Sequence, residues 1–184
     1  MTAPCLTGDV VRLSLLDLEK DVEEWAAWIQ DSEYQRLLDT GPSTLYSPAA
    51  IRAWMEKECG QNYVVFSIHA LPEERVVGFI DLSGFNWQAR SAWVAIGIGP
   101  AEYRGRGLGT QAMRLLTRYA FEHLNLNRIN LNVFGYNPGA MRSYEKAGSV
   151  LEGRQRELLN RYGQRWDMVY MGLLRDDWLA QQRK

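Results

Sequence analysis

The run Arg104-Gly105-Arg106-Gly107-Leu108-Gly109-Thr110 sets three glycines among two cations and a hydroxyl. Glycine accepts positive φ and has no side chain to hold a ligand away, so successive backbone N–H groups there can converge on one anion. The segment from Gly109 to Leu124 then offers a helix N-terminus, whose unpaired donors and positive dipole end favour the same charge. Arg104 and Arg106 add long cations. The chemistry implied is phosphate binding. The run lacks the Lys-Ser/Thr ending of the nucleotide P-loop, and Thr110 stands where the dinucleotide fingerprint needs glycine. A tight strand-to-helix turn with two solvated arginines is the plainer alternative.

Just upstream, Val94-Ala95-Ile96-Gly97-Ile98-Gly99 alternates with period two, placing Val94, Ile96 and Ile98 on one face and Ala95, Gly97 and Gly99 on the other. Two readings of the small-residue face stay open: bare backbone along which a thin ligand lies, or a surface packed under a helix. Downstream, Asn137-Pro138 has the form of a helix cap followed by a first helical residue. Tyr144 lies seven residues further, nearly on the same helix face and about 10 Å along.

Positioning these groups requires an ordered frame. Val10 to Leu15 reads as a strand and Leu18 to Gln30 as a helix with Val22, Trp25, Ala26 and Ile29 on one stripe, with Asp17 as its cap. Gly41-Pro42-Ser43 breaks the chain, and Ser47-Pro48 opens a second helix through Ile51, Met55 and Lys57. Tyr63 to Ala70, Arg75 to Phe85 and Ser91 to Gly99 form an antiparallel meander. The helix after the glycine run carries Met113, Leu116, Ala120 and Leu124 on its inner stripe. Arg128 to Phe134 alternates as a strand, the helix from Asn137 ends at Gly148, and strands Val150 to Leu158 and Arg165 to Leu173 flank the turn Asn160 to Gly163. A helix from Asp176 to Gln182 closes the chain. The order β-α-α-β-β-β-α-β-α-β-β predicts an α/β fold of the α+β type: a mixed, mainly antiparallel sheet of six to seven strands with helices on both faces.

Composition sets the limits. A chain of 184 residues with 46% hydrophobic residues fits a single domain, residues 1–184, with a true core. A net charge of -1 and a pI near 6.2 argue against a general nucleic-acid partner. Cys5 and Cys59 show no paired spacing and no metal-ligand pattern, so no disulfide and no metal site is expected. No signal pattern opens the chain and no run approaches a membrane span, so a cytoplasmic protein without a membrane partner is expected.

Taken together, Ile96-Gly97-Ile98, the Arg104-to-Gly109 hexapeptide, Asn137 and Tyr144-Glu145-Lys146-Ala147-Gly148 resemble the acetyl-CoA core of the GNAT superfamily of N-acetyltransferases. The hexapeptide satisfies that family's Arg/Gln-x-x-Gly-x-Gly/Ala pattern. The likeness runs from about Val10 to Leu173 and is nearest to the branch containing the ribosomal-protein N-terminal acetyltransferases. It implies that Arg104, Gly105, Arg106, Gly107, Leu108, Gly109 and Thr110 hold the pyrophosphate of acetyl-CoA. It further implies that Ile96, Gly97 and Ile98 pair with the pantetheine arm and that Asn137 touches the same arm. Tyr144 is the implied donor to the departing thiolate. No metal takes part. The implied acceptor is a primary amine, on a protein N-terminus or a small molecule, and the final hairpin offers edges for a homodimer.

One departure stands out. An amine must lose a proton before it attacks a thioester, and many members of the family carry glutamate on the ligand-side strand where Trp93 stands here. Asp81, Glu157, Asp167 or a water chain could replace it. A non-catalytic acyl-CoA sensor is the alternative that Trp93 leaves open, and a different nucleotide enzyme is a more distant one. His69 and His123 lack the context of a nucleophilic triad. The acceptor side is expected from the first two helices and the final hairpin, with Trp25, Trp28, Tyr34, Trp54, Trp87 and Trp93 as aromatic surfaces and Asp31, Glu33 and Asp39 as charges that could attract a cation.

Overall fold

The structure, a computed structural model, describes residues 6–41, 44–58 and 62–183. Cys5, Cys59, Pro42 and Ser43 lie outside the described residues. The elements are β1 (Val11–Leu15), α1 (Val22–Ile29), α2 (Ser32–Leu38), α3 (Pro48–Glu58), β2 (Tyr63–Ala70), β3 (Arg75–Asn86), β4 (Ser91–Ile98), α4 (Leu108–Glu122), β5 (Arg128–Phe134), α5 (Pro138–Lys146), β6 (Val150–Arg161), β7 (Gln164–Leu174) and α6 (Arg175–Gln182). The seven strands form one sheet in the order β1-β2-β3-β4-β5-β7-β6. Among the described residues only β4 and β5 pair in parallel. The expected α/β class, strand number and two-sided helical cover are what the chain adopts.

The helices divide between the faces because the strands alternate. One core unites Phe66, Ile80, Leu82 and Val94 with Met113, Leu116 and Ala120 of α4 and Trp178 of α6. The other gathers Trp25 and Trp28 of α1, Tyr34 of α2 and Ile51 and Met55 of α3 over Val65 and Phe79. Leu124, expected on the α4 stripe, lies past the helix end and is half-buried.

Three helices, not two, follow β1. The extra one, α2, spans seven residues and buries only Tyr34, too little apolar periodicity for a sequence pattern to show. Its cap is nonetheless plain: Asp31 accepts from the Glu33 N–H at 2.9 Å. The first helix is shorter than Leu18 to Gln30. Asp17 accepts from the Glu19 N–H at 3.0 Å and Asp21 accepts from the Asp17 N–H at 3.0 Å, a local turn that displaces the helix start to Val22. Asp21, rather than Asp17, occupies the N-cap position.

Elsewhere the caps behave as their residue types require. Ser47 accepts from the Ala50 N–H at 3.2 Å ahead of Pro48, and Gly148 leaves α5 at φ 103°. The final hairpin extends through the expected turn. Tyr162 and Gly163 alone reverse the chain, at φ 51° and 73°, as a two-residue turn whose twist matches its strands.

Candidate active site

The sheet splits at its parallel seam. β4 and β5 pair only over Ser91↔Arg128, Ala92↔Ile129 and Trp93↔Asn130, although β4 runs on to Ile98 and β5 to Phe134. The Asn130 amide donates to the Ala92 carbonyl at 3.1 Å and closes the last rung. Beyond it the strands diverge. The Gly99 N–H donates to the Val77 carbonyl at 2.9 Å, so by antiparallel alternation Val94, Ile96 and Ile98 turn their backbone groups away from β3, toward the gap.

Which side chains flank that gap is fixed by packing. A Cβ built on Gly97 would come within 2.6 Å of the Tyr34 Oη, and one on Gly99 would collide with the Trp28 ring. At Gly97 and Gly99 the small-residue face is therefore packed under α1 and α2, while Ala95 stays exposed. The open feature is the strand edge, not that face. Ile96 and Ile98 point the other way, toward Gly109 of α4.

A cavity of about 400 Å³ follows the gap through the sheet. On the α4–α5 side it is lined by Gly105, Gly107, Leu108, Gly109, Thr110, Asn137 and Tyr144; on the other side by Tyr34, Leu37 and Leu38; and between them by Ile96, Gly97 and Ile98. Every site residue expected from sequence lines it except Arg106, whose guanidinium lies 5.1 Å from the Tyr103 ring centre.

The glycine run is open backbone. Gly105 and Gly107 sit at φ 72° and 85°, and a Cβ on either would meet nothing within 4 Å. Gly107 caps α4 without a side-chain hydrogen bond, which leaves the first N–H groups of a 15-residue helix facing the cavity. Thr110 Oγ1 and Ser143 Oγ, 2.8 Å apart, join α4 to α5. Asn137 caps α5, accepting from the Ala140 N–H at 3.1 Å, while it lines the cavity.

Arg104 is placed otherwise than its charge suggests. Its Nε donates to the Ile98 carbonyl at 3.0 Å, and its Nη2 reaches Asp31 at 3.0 Å and the Gly99 carbonyl. The guanidinium thus clasps α2 to the end of β4. Cations missed by sequence reading stand on α5 instead: Arg142 and Lys146, four residues apart and both lining the cavity. That spacing was the available signal.

Tyr144 is buried, and burial alone pushes its phenol up to about 12. It is a neutral donor across the physiological range. Among the carboxylates named from sequence, Asp167 accepts from the Glu157 N–H at 3.1 Å and pairs with Arg154 at 3.9 Å on the β6–β7 hairpin, and exposed Glu157 sits at φ 54° in a bulge of β6. Asp81 differs. It is 3% exposed; burial pushes its carboxyl up to about 7 against the pull of the Tyr63 hydroxyl, and its Oδ1 has no partner.

The acidic residues of α2 are already neutralised: Asp31 by Arg104, Glu33 by Arg36 at 2.5 Å. Asp39 accepts from the Gly41 N–H at 3.1 Å. Trp25, Trp28 and Tyr34 are core; Trp54, Trp87 and Trp93 are exposed. Among the described residues no cluster of His, Cys, Asp and Glu could hold a metal, and no helix is long and apolar enough to cross a membrane.

Comparison with known proteins bears on this geometry. The sequence family described as Acetyltransferase (GNAT) domain matches residues 12–150. The chain is 29% identical over 181 residues to the Bacillus subtilis protein named Putative ribosomal N-acetyltransferase YdaF, covering 95% of this chain and 96% of that one. It is 31% identical over 171 residues to the spermidine N(1)-acetyltransferase of Escherichia coli, covering 84% and 86%. The crystal structure of the spermidine N-acetyltransferase from Vibrio cholerae in complex with CoA and spermine superposes with a TM-score of 0.83 at 23% identity, over 94% of this chain and 99% of that one.

Proposed function

The chain belongs to the GNAT acetyltransferase family, and on that premise we propose that it acts as one catalytic domain, in the cytoplasm, transferring an acetyl group from acetyl-CoA to a primary amine. The observation that carries this reading is the cavity that crosses the sheet where β4 and β5 part. One mouth meets an uncapped helix N-terminus, suited to a pyrophosphate; the other opens beside α2, where a second substrate can enter.

Bound acetyl-CoA supplies an electrophilic thioester carbon. The amides from Gly105 to Thr110 hold its phosphates, and Arg142 and Lys146 add charge at the same mouth. The edge groups of Val94 and Ile96 bind an extended arm as an added strand would, with Asn137 touching the same arm from the cap of α5. Tyr144 faces the leaving sulfur. A phenol near 12 opposes an ordinary thiol near 8.5, but a thiolate born beside Tyr144 shares its desolvation and is raised too, which narrows the difference.

The acceptor we favour presents one ammonium, as a protein N-terminus does, rather than the several of a polyamine. Support comes from Asp31 and Glu33, whose charge is spent on Arg104 and Arg36. Thiol release from acetyl-CoA with short peptides, single amines and spermidine tests both parts. Turnover is expected, best with a peptide N-terminus, and Tyr144→Phe should lower kcat by about 10²–10⁴ while leaving cofactor affinity unchanged. Absence of turnover with every amine would sink the transferase reading, and preference for spermidine would sink the choice of acceptor.

A further inference from the structure

An amine nucleophile needs a proton acceptor, and the Trp93 indole cannot serve. The sheet register shows what can. On the face covered by α1, α2 and α3, Val65, Asp81 and Ala95 form one row across β2, β3 and β4. The next row holds Phe79 and Gly97, over which Tyr34 closes the cavity; the row before it holds Tyr63, Ser83 and Trp93. Asp81 is thus one strand, about 5 Å, from the open edge of β4. The residue standing between them is an exposed alanine, whose methyl leaves room above the sheet.

The carboxylate itself is held for use on one side only. Tyr63 donates its hydroxyl to Oδ2 at 3.1 Å, while Oδ1 is buried and accepts no hydrogen bond of normal geometry, although the Ser83 hydroxyl and the Ala95 N–H stand close enough to favour the charge. An unpaired buried carboxylate oxygen costs stability and is rare in native cores.

We propose that Asp81 accepts the proton of the incoming amine, through one water seated over Ala95 at the gap between β4 and β5. This rests on the transferase reading above. The ammonium gives one proton to Oδ1 by way of that water, and the freed lone pair forms the N–C bond to the acetyl carbon. The C–S bond breaks with its pair going to sulfur. Tyr144 protonates that sulfur and is itself restored by the second nitrogen proton. Asp81 then returns its proton to solvent.

The groups facing Asp81 are Tyr63 from β2, Ser83 from β3 and the Ala95 backbone from β4. Among the described residues no charged side chain, from these strands or from α1, α2 and α3, contributes to its titration. An ascending limb near pH 7, below the peptide amine's own ionisation at about 8, is therefore its own. The Tyr63 bond holds the carboxyl down, so removing that hydroxyl must raise it.

The test is kcat/KM against pH for the whole protein with a peptide amine, beside acetyl-CoA affinity by calorimetry. Asp81→Asn should lower kcat/KM at pH 8 by about 10²–10³ with cofactor affinity held within threefold, and should abolish the limb near pH 7. Tyr63→Phe should move that limb to higher pH. Asp81→Glu, should the amide variant fail to fold, must keep a displaced limb. A rate within threefold of the parent and an unmoved limb in Asp81→Asn would overturn the assignment, as would joint loss of activity and cofactor binding. Turnover by the parent in that same experiment leaves the transferase reading standing, so the two failures are told apart.

Discussion

The two mouths of the cavity are built from different materials. The α4–α5 mouth is mostly backbone: glycines at φ 72° and 85°, the free N–H groups of one helix, and a strand edge without a neighbour. The α2 mouth is made of side chains: Tyr34, Leu37 and Leu38 line it, and strand register sets Asp81 and Trp93 in the neighbouring rows of that sheet face. A backbone site recognises what every acyl-CoA shares and tolerates change in side chains. A side-chain site sets the acceptor and the proton's route, and single substitutions can redirect it.

The largest effect that bears on this contrast is at Gly107. A β-branched residue at φ 85° is strained by more than the 1–2 kcal/mol typical of an L-residue in this region, although a Cβ here meets open space. Gly107→Val should therefore weaken acetyl-CoA binding by about 10–100-fold through lost amide convergence, and the strain should lower the melting temperature by a few degrees. Calorimetry beside a melting curve measures both. Unchanged affinity would mean that side chains, not backbone, hold the phosphates, and the contrast would fail.

The same contrast explains what could be read from sequence. The glycine run, the Asn137 cap and Tyr144 lie within 41 residues and report local conformation, so residue type and spacing reveal them. The gap between β4 and β5 depends on where a parallel pairing stops, at Trp93↔Asn130, and no local pattern encodes that. Asp81 was visible only as one carboxylate among several; its distinction is burial by α1–α3 and an orphan oxygen, both tertiary. The small-residue face of β4 was ambiguous for a related reason. The aromatic rings that cover Gly97 and Gly99 come from α1 and α2, and α2 is too short to announce itself.

Arg104 sits on the boundary between the two materials and gives the next largest effect. It belongs to the glycine run by sequence, yet its guanidinium ties Ile98, Gly99 and Asp31 together and lies 5.7 Å from the Tyr34 ring centre. Arg104→Ala should lower stability by about 2–3 kcal/mol, because three acceptors lose a charged donor. Its effect on acetyl-CoA affinity, and on the salt dependence of that affinity, should be small. Urea unfolding and titrations at two ionic strengths decide the matter. A large loss of affinity with stability intact would show that the side chain swings to the phosphates, and the boundary would move into the backbone site.

The smallest effect sharpens the other mouth, and its sign is opposite to that of an ordinary core mutation. Burial pushes the Asp81 carboxyl from its ordinary 3.8 up to about 7 in the folded state, so the native state holds its proton more tightly. Stability from this group is complete below about pH 4 and declines as pH rises through 7, a loss of about 4 kcal/mol in full. Asp81→Asn escapes that loss, but its two amide N–H donors meet a site with few acceptors, which returns about 2–3 kcal/mol. The variant should thus be more stable than the parent by about 1–2 kcal/mol at pH 8. That advantage should vanish or reverse by pH 5. Melting curves across this range measure it. A pH-independent difference would place the carboxyl's folded pKa near its ordinary value, and Asp81 would be a structural acid rather than a group held ready for protons.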